Sequence, residues 1–101
     1  MDQQDHIAER DQLFCYGTLI HKGSPFTNKS IRDSRFRDDR GCFVIGVERD
    51  MLPITELSSS FILRSEDIVW LLATVSAMTD LLQDETIVYH ETVCTLPRST
   101  H

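Results

Sequence analysis

Two short apolar runs limit what this chain can fold into more than any other feature. The first, Cys42-Phe43-Val44-Ile45-Gly46-Val47, opens after Gly41 and closes in Glu48-Arg49-Asp50; the second, Ile68-Val69-Trp70-Leu71-Leu72-Ala73, opens after Glu66-Asp67. Each is nearly unbroken, rich in β-branched and aromatic residues, and bounded by charge or turn residues. That is the pattern of a strand buried on both faces. Together the two runs point to a small α+β domain.

A chain of 101 residues makes one domain, with a genuine core but a marginal stability that docking to a partner would raise. Its apolar fraction of 41% is ordinary for a globule, and no apolar run reaches the roughly 20 residues that span a bilayer, so no direct membrane insertion is expected. The opening Met1-Asp2-Gln3-Gln4-Asp5-His6 lacks the basic and apolar regions of a secretory signal, so the chain reads as cytosolic. Ten Lys and Arg against sixteen Asp and Glu give a formal charge of −6, a field that repels phosphate backbones. No nucleic-acid partner is expected on that ground. Cys15, Cys42 and Cys94 are odd in number and set in apolar or β-like contexts, which suits reduced thiols.

Residues 1–12 are polar without periodicity and read as a flexible linker or an expression remnant, with the domain spanning 13–84 and an extension over 85–101. Leu13 to Ile20 is a first strand, closed by His21-Lys22-Gly23-Ser24-Pro25. Asn28 is a plausible N-cap for a two-turn helix through Arg35, and 36–40 is a charged connector. The strand Cys42 to Arg49 is followed by a tight turn at Arg49-Asp50. A short third strand, Met51 to Ile54, then lies at an edge or a strand end, because Pro53 cannot donate to a ladder. Glu56 to Ser60 is a loop, Phe61-Ile62-Leu63 an apolar anchor, and Ile68 to Ala73 the last domain strand. Val75, Met78, Leu81 and Leu82 recur at three and four residues, the stripe of an amphipathic helix over about 75–84. The tail Thr86 to Leu96 is β-rich and reads as an extra strand or as an extension that pairs with another copy.

These segments resemble, in order and spacing, the TrkA C-terminal domain, also called the RCK C-terminal domain, of potassium channels and cation transporters. Gly23-Ser24-Pro25 with Lys29-Ser30-Ile31 is similar to its turn and first helix, Arg37 with Gly41 to Arg49 to its central strand, Leu52-Pro53 to its hairpin return, and Glu66 to Ala73 to its last strand. The resemblance implies a cytoplasmic, non-catalytic regulatory domain that forms a homodimer and biases an attached transport unit, in an inner-membrane protein that moves potassium or exchanges sodium for protons. The central strand is most similar to copies appended to bacterial cation:proton antiporters. Two rival readings are a purely structural dimerisation domain without ligand and the sensor domain of a transcription regulator. Asn28 stands where the family has Gly, Arg49-Asp50-Met51 lacks the Gly of its hairpin turn, Ser65-Glu66-Asp67 lacks the Gly before its final strand, and Ala73 replaces another, so the turns are expected to use a different backbone geometry.

The resemblance also implies a ligand-binding cleft between two copies, lined by Ile31, Arg37, Phe43 and Ile45. Relatives that bind cyclic di-AMP there use an Arg before the central strand, an apolar residue on the preceding helix and an Asn early in the strand. Arg37 and Ile31 match the first two, while Phe43 offers a stacking ring where the Asn would hydrogen-bond, which leaves a purine nucleotide open as ligand. No tightly bound cofactor is expected, and no metal. His90-Glu91-Thr92-Val93-Cys94 has a spacing reminiscent of a zinc helix, but its residues favour a strand. Asp33, Asp38, Asp39 and Glu48 are carboxylates that could gather a cation, yet Arg32, Arg35, Arg37 and Arg40 interleave with them as a self-neutralising surface. The same arginines could hold a phosphate, Arg37 foremost. No nucleophile elbow, glycine-rich phosphate loop or metal-ligand spacing is present, so no enzyme is expected.

Overall fold

The computed structural model describes residues 12–83 and 87–93. Five strands, β1 (Phe14–Ile20), β2 (Phe43–Arg49), β3 (Leu52–Pro53), β4 (Ile68–Ala73) and β5 (Ile87–Val93), form one sheet in the order β3-β2-β4-β1-β5. Every neighbouring pair is antiparallel. Three short helices, α1 (Ile31–Ser34), α2 (Phe36–Arg40) and α3 (Val75–Leu81), complete the α+β architecture read from the apolar runs. The β-rich tail supplies β5, which pairs with β1 of its own chain over Cys15 to Ile20.

Period-two alternation decides which side of the sheet is covered. Along the central strand β4, Val69, Leu71 and Ala73 are fully buried, while Ile68, Trp70 and Leu72 on the opposite face are half-buried. The buried set packs with Ile20, Val47, Leu63, Met78, Leu81 and the stacked pair Phe26 and Phe36, whose ring centroids lie 4.7 Å apart. On β2 the expectation of burial on both faces fails. Phe43 and Ile45 are 41% and 48% exposed, because the helices cover only the Val44 and Val47 face. An apolar run marks a strand, but it does not say whether a second layer exists to cover the far side.

Trp70 organises the uncovered face. Strand register sets it between Gly17 of β1 and Gly46 of β2, and its Nε1 donates to Glu48 Oε2 at 2.8 Å. A Cβ at Gly17 would fall 2.8 Å from the ring's Cη2 and 2.9 Å from Cζ3. Glycine is therefore required by close approach. The substitution Gly17→Ala is expected to push the indole off its shelf, break the Glu48 bond and cost about 1–3 kcal/mol. Trp70 is the only tryptophan, so a red shift of its fluorescence together with a lowered urea midpoint checks this directly.

Several local expectations are corrected. The first helix starts at Ile31, not near Asn28; its N-cap is Ser30, whose Oγ accepts from the Asp33 N–H at 3.0 Å. Residues 36–40 are helix α2 and not a connector. Arg35 in the left-handed region (φ 59°) breaks the two helices apart, and Gly41 (φ 68°) closes the second. Helix α3 ends at Leu81 with Leu82 as its cap, shorter than the apolar stripe suggested.

The turns that lack glycine nonetheless keep the glycine-type conformation. Asn28 (φ 69°), Asp50 (φ 56°), Met51 (φ 69°) and Glu66 (φ 72°) all sit at positive φ, so the expectation of a different backbone geometry is overturned. The tight connections dictate the dihedrals, and the side chains accept the strain. Asp50-Met51 is the two-residue link between β2 and β3, where positive φ at both central positions matches the twist of the flanking strands. Met51 is 89% exposed and contributes no core packing. Met51→Gly is accordingly expected to stabilise the fold by about 1 kcal/mol, seen as a rise in Tm of about 5 °C.

The loop between β3 and β4 is held by a buried carboxylate. Asp67, 1% exposed, accepts from Arg49 Nε at 2.9 Å, from Arg49 Nη2 at 2.8 Å and from the Arg64 backbone N–H at 2.8 Å. The hydrogen bond to Asp67 raises the pKa of Arg49, whose guanidinium also donates to the Ile62 carbonyl at 3.0 Å and lies 4.8 Å from the Phe61 ring centre. Phe61 to Leu63 is thereby fixed for pairing with residues 28–31: Asn28 N–H donates to Leu63 O at 2.8 Å and Ile31 N–H to Phe61 O at 3.0 Å.

Candidate functional site

The corner at Arg35 creates a concavity. Because α1 ends there and α2 turns away, the space between the two helices, the start of β2 and the loop at Ser59 is left unfilled, a cavity of about 380 Å³. That volume suits part of a small ligand. Its inner wall is apolar: Phe36 and Cys42 are buried, and Ile31 and Val44 are partly so. The Ser59 side is pinned in place, since Arg32 N–H donates to Ser59 O at 2.9 Å and Arg32 Nη2 to Ser59 Oγ at 3.0 Å.

The mouth is cationic although the chain is acidic. Arg32, Arg35 and Arg37 line the cavity against the single carboxylate of Asp38, an excess of two positive charges, on a chain of formal charge −6. Arg35 is paired through Nε with Asp39 at 3.0 Å, an exposed i,i+4 bridge of little energetic weight. Among the described residues Arg32 and Arg37 have no ion-pair partner. The guanidinium of Arg37 lies 5.6 Å from the centre of the Phe43 ring, within cation–π range, so one cation and one aromatic face are presented side by side. A guanidinium fork matches a phosphate, and an exposed ring matches a base.

Cys42 is part of the wall and not a reactive group. Its Sγ is 3.5 Å from the Arg40 carbonyl and its side chain is fully buried. Burial pushes the thiol pKa up, and the charge of Arg40 opposes this only in part.

Of the four residues proposed from sequence, the fold brings three together: Ile31, Arg37 and Phe43 all line the cavity. Ile45 does not. It lies in the irregularity between Val44 and Gly46, where the β2–β4 register shifts, and points 48% exposed beyond the cavity edge. Sequence reasoning missed the contributions of Arg32, Arg35 and Ser59. The interleaved arginines were visible as a cluster, but only the Arg35 corner reveals which of them face inward. No group of three or more His, Cys, Asp or Glu gathers among the described residues, and Cys94 of the zinc-like spacing lies outside them.

The TrkA-C domain model matches residues 16–83. No curated protein sequence matches the chain. Among solved structures, the RCK_C domain dimer of S. agalactiae BusR in complex with c-di-AMP superposes with a TM-score of 0.63 at 14% identity, covering 71% of this chain and 89% of that one. S. agalactiae BusR in complex with its busAB promoter DNA gives a TM-score of 0.63 at 13% identity, covering 81% of this chain and 40% of that one. The second finding corrects the expectation that no nucleic acid is involved. A protein carrying this fold over part of its length sits on DNA, and the charge of one segment does not govern what a longer chain binds. No helix among the described residues is long and apolar enough to cross a membrane.

Proposed function

We propose that this chain, which belongs to the TrkA-C domain family, is a homodimeric regulatory module whose Arg37–Phe43 cavity takes a cyclic dinucleotide, each copy holding one half of the ligand. The observation that carries this reading is the local reversal of charge: two guanidiniums without an ion-pair partner among the described residues and an exposed ring around a hollow of about 380 Å³ in an otherwise acidic chain. Structural likeness to a BusR domain dimer that holds c-di-AMP supports the choice of ligand class. Phe43 and Ile45, both exposed at the start of β2, supply the apolar seam against which the second copy closes. A ligand that fits one dimer arrangement better than another shifts their populations by that difference in affinity, and nothing else is needed for regulation.

The output is monovalent cation transport in the first reading, supported by the similarity of Gly41 to Arg49 to central strands of antiporter-associated copies. A second reading, the sensor of a transcription regulator, is favoured by the BusR structure on its promoter. The sequence flanking this module in its full-length protein separates them: membrane-spanning helices support the first, a helix-turn-helix the second.

A thermal-shift panel of cyclic di-AMP, ATP, NAD and divalent ions tests the ligand reading. Cyclic di-AMP at a hundredfold excess over Kd is expected to raise Tm by on the order of 10 °C. No shift with any member of the panel would leave a structural dimerisation domain.

A further inference from the structure

We propose that the cavity recognises a purine by its face and a phosphate by its charge, and therefore accepts guanine and adenine cyclic dinucleotides alike. This rests on the ligand reading above and goes further, to the basis of selectivity. Discrimination between purines requires donors and acceptors aimed at the base edge; the pairing that singles out adenine is the bidentate amide of Asn or Gln. Among the described residues no Asn or Gln lines this cavity. The polar side chains present are those of three arginines, Asp38 and Ser59. Arg32 is tied to Ser59 and Arg35 to Asp39, and Arg37 is the fork that meets the phosphate, so the arginines are engaged away from the O6 and N7 of guanine that a free fork would single out. The Asp38 carboxylate can accept from the exocyclic amine of either purine, and a hydroxyl such as that of Ser59 serves as donor or acceptor.

What remains for the base is Phe43. Its ring is 41% exposed at the cavity mouth and has the Arg37 guanidinium 5.6 Å from its centre. Stacking on such a ring tolerates any base, because every base has a π-face. The remaining wall, Ile31, Phe36 and Val44, is apolar and equally indifferent to the pattern of edge groups. The charge then sets affinity, and the ring sets the preference for an aromatic over a bare phosphate.

Calorimetric titration of the chain with cyclic di-AMP and with cyclic di-GMP, at one salt concentration, is the test. The two Kd values are expected to agree within about tenfold, and Phe43→Leu to weaken both by a similar factor of about ten. Phe43→Asn, which adds the missing amide, is expected to create an adenine preference of about tenfold. A difference of more than about tenfold between the two Kd values, in either direction, in the unaltered chain overturns the inference while leaving the ligand reading intact. Binding of neither nucleotide overturns both. Should the variants fail to fold, the comparison in the unaltered chain still decides.

Discussion

Arg49→Ala is expected to lower stability by about 3 kcal/mol, the largest loss among exchanges away from the core. The reason is what it leaves behind. Asp67 is 1% exposed and loses two of its three donors, keeping only the Arg64 N–H. A buried carboxylate without its cation costs about 3–5 kcal/mol, and the 25% exposure of the Arg49 side chain, which lets water reach the vacated place, puts the figure at the lower end. Replacing both partners, Arg49→Met with Asp67→Leu, is expected to recover part of the loss, since an apolar pair carries no unpaired charge while the Arg64 N–H and the Ile62 carbonyl lose their partners. Urea unfolding of the single and double variants measures both. Because Arg49 also anchors the Ile62 carbonyl and the Phe61 ring, the single variant is expected to loosen the strip that pairs with residues 28–31, and with it the wall of the cavity.

The second large effect is on binding alone. Arg37→Ala is expected to weaken cyclic di-AMP by roughly 10- to 100-fold, the loss of charge-assisted hydrogen bonds to phosphate. Arg37→Lys is expected to fall between the two, keeping the charge and losing the fork. Arg37 is exposed and its only described side-chain interaction is with the Phe43 ring, so the stability of the unliganded chain should change by less than about 1 kcal/mol. A Kd from calorimetry and a urea midpoint on the same sample distinguish loss of a ligand contact from loss of fold.

The strands were legible because their signal is local. Val44-Ile45-Gly46-Val47 and Val69-Trp70-Leu71-Leu72 read as β from composition and length, and the structure places both in the sheet. Whether Phe43 and Ile45 are covered was not legible, because that depends on where three short helices land. The corner at Arg35 was equally hidden. A non-glycine residue at φ 59° inside a charged stretch carries no signal in its own sequence, yet it converts 36–40 from connector to helix and opens the cavity. Asn28, Asp50, Met51 and Glu66 show the converse: the missing glycines were visible, but the inference of altered turns failed because surrounding pairing imposes the left-handed conformation on whatever residue is present. For the site, Arg37 and Phe43 were found through a resemblance, whereas Arg32, Arg35 and Ser59 needed the third dimension.

Native mass spectrometry of the chain with cyclic di-AMP tests the central claim most directly, since it counts chains and ligands in the same species. The account predicts a dimer carrying one cyclic di-AMP, and an Arg37→Ala dimer that carries none at the same concentrations. A monomer, or a dimer that takes up no nucleotide at tens of micromolar, would contradict it.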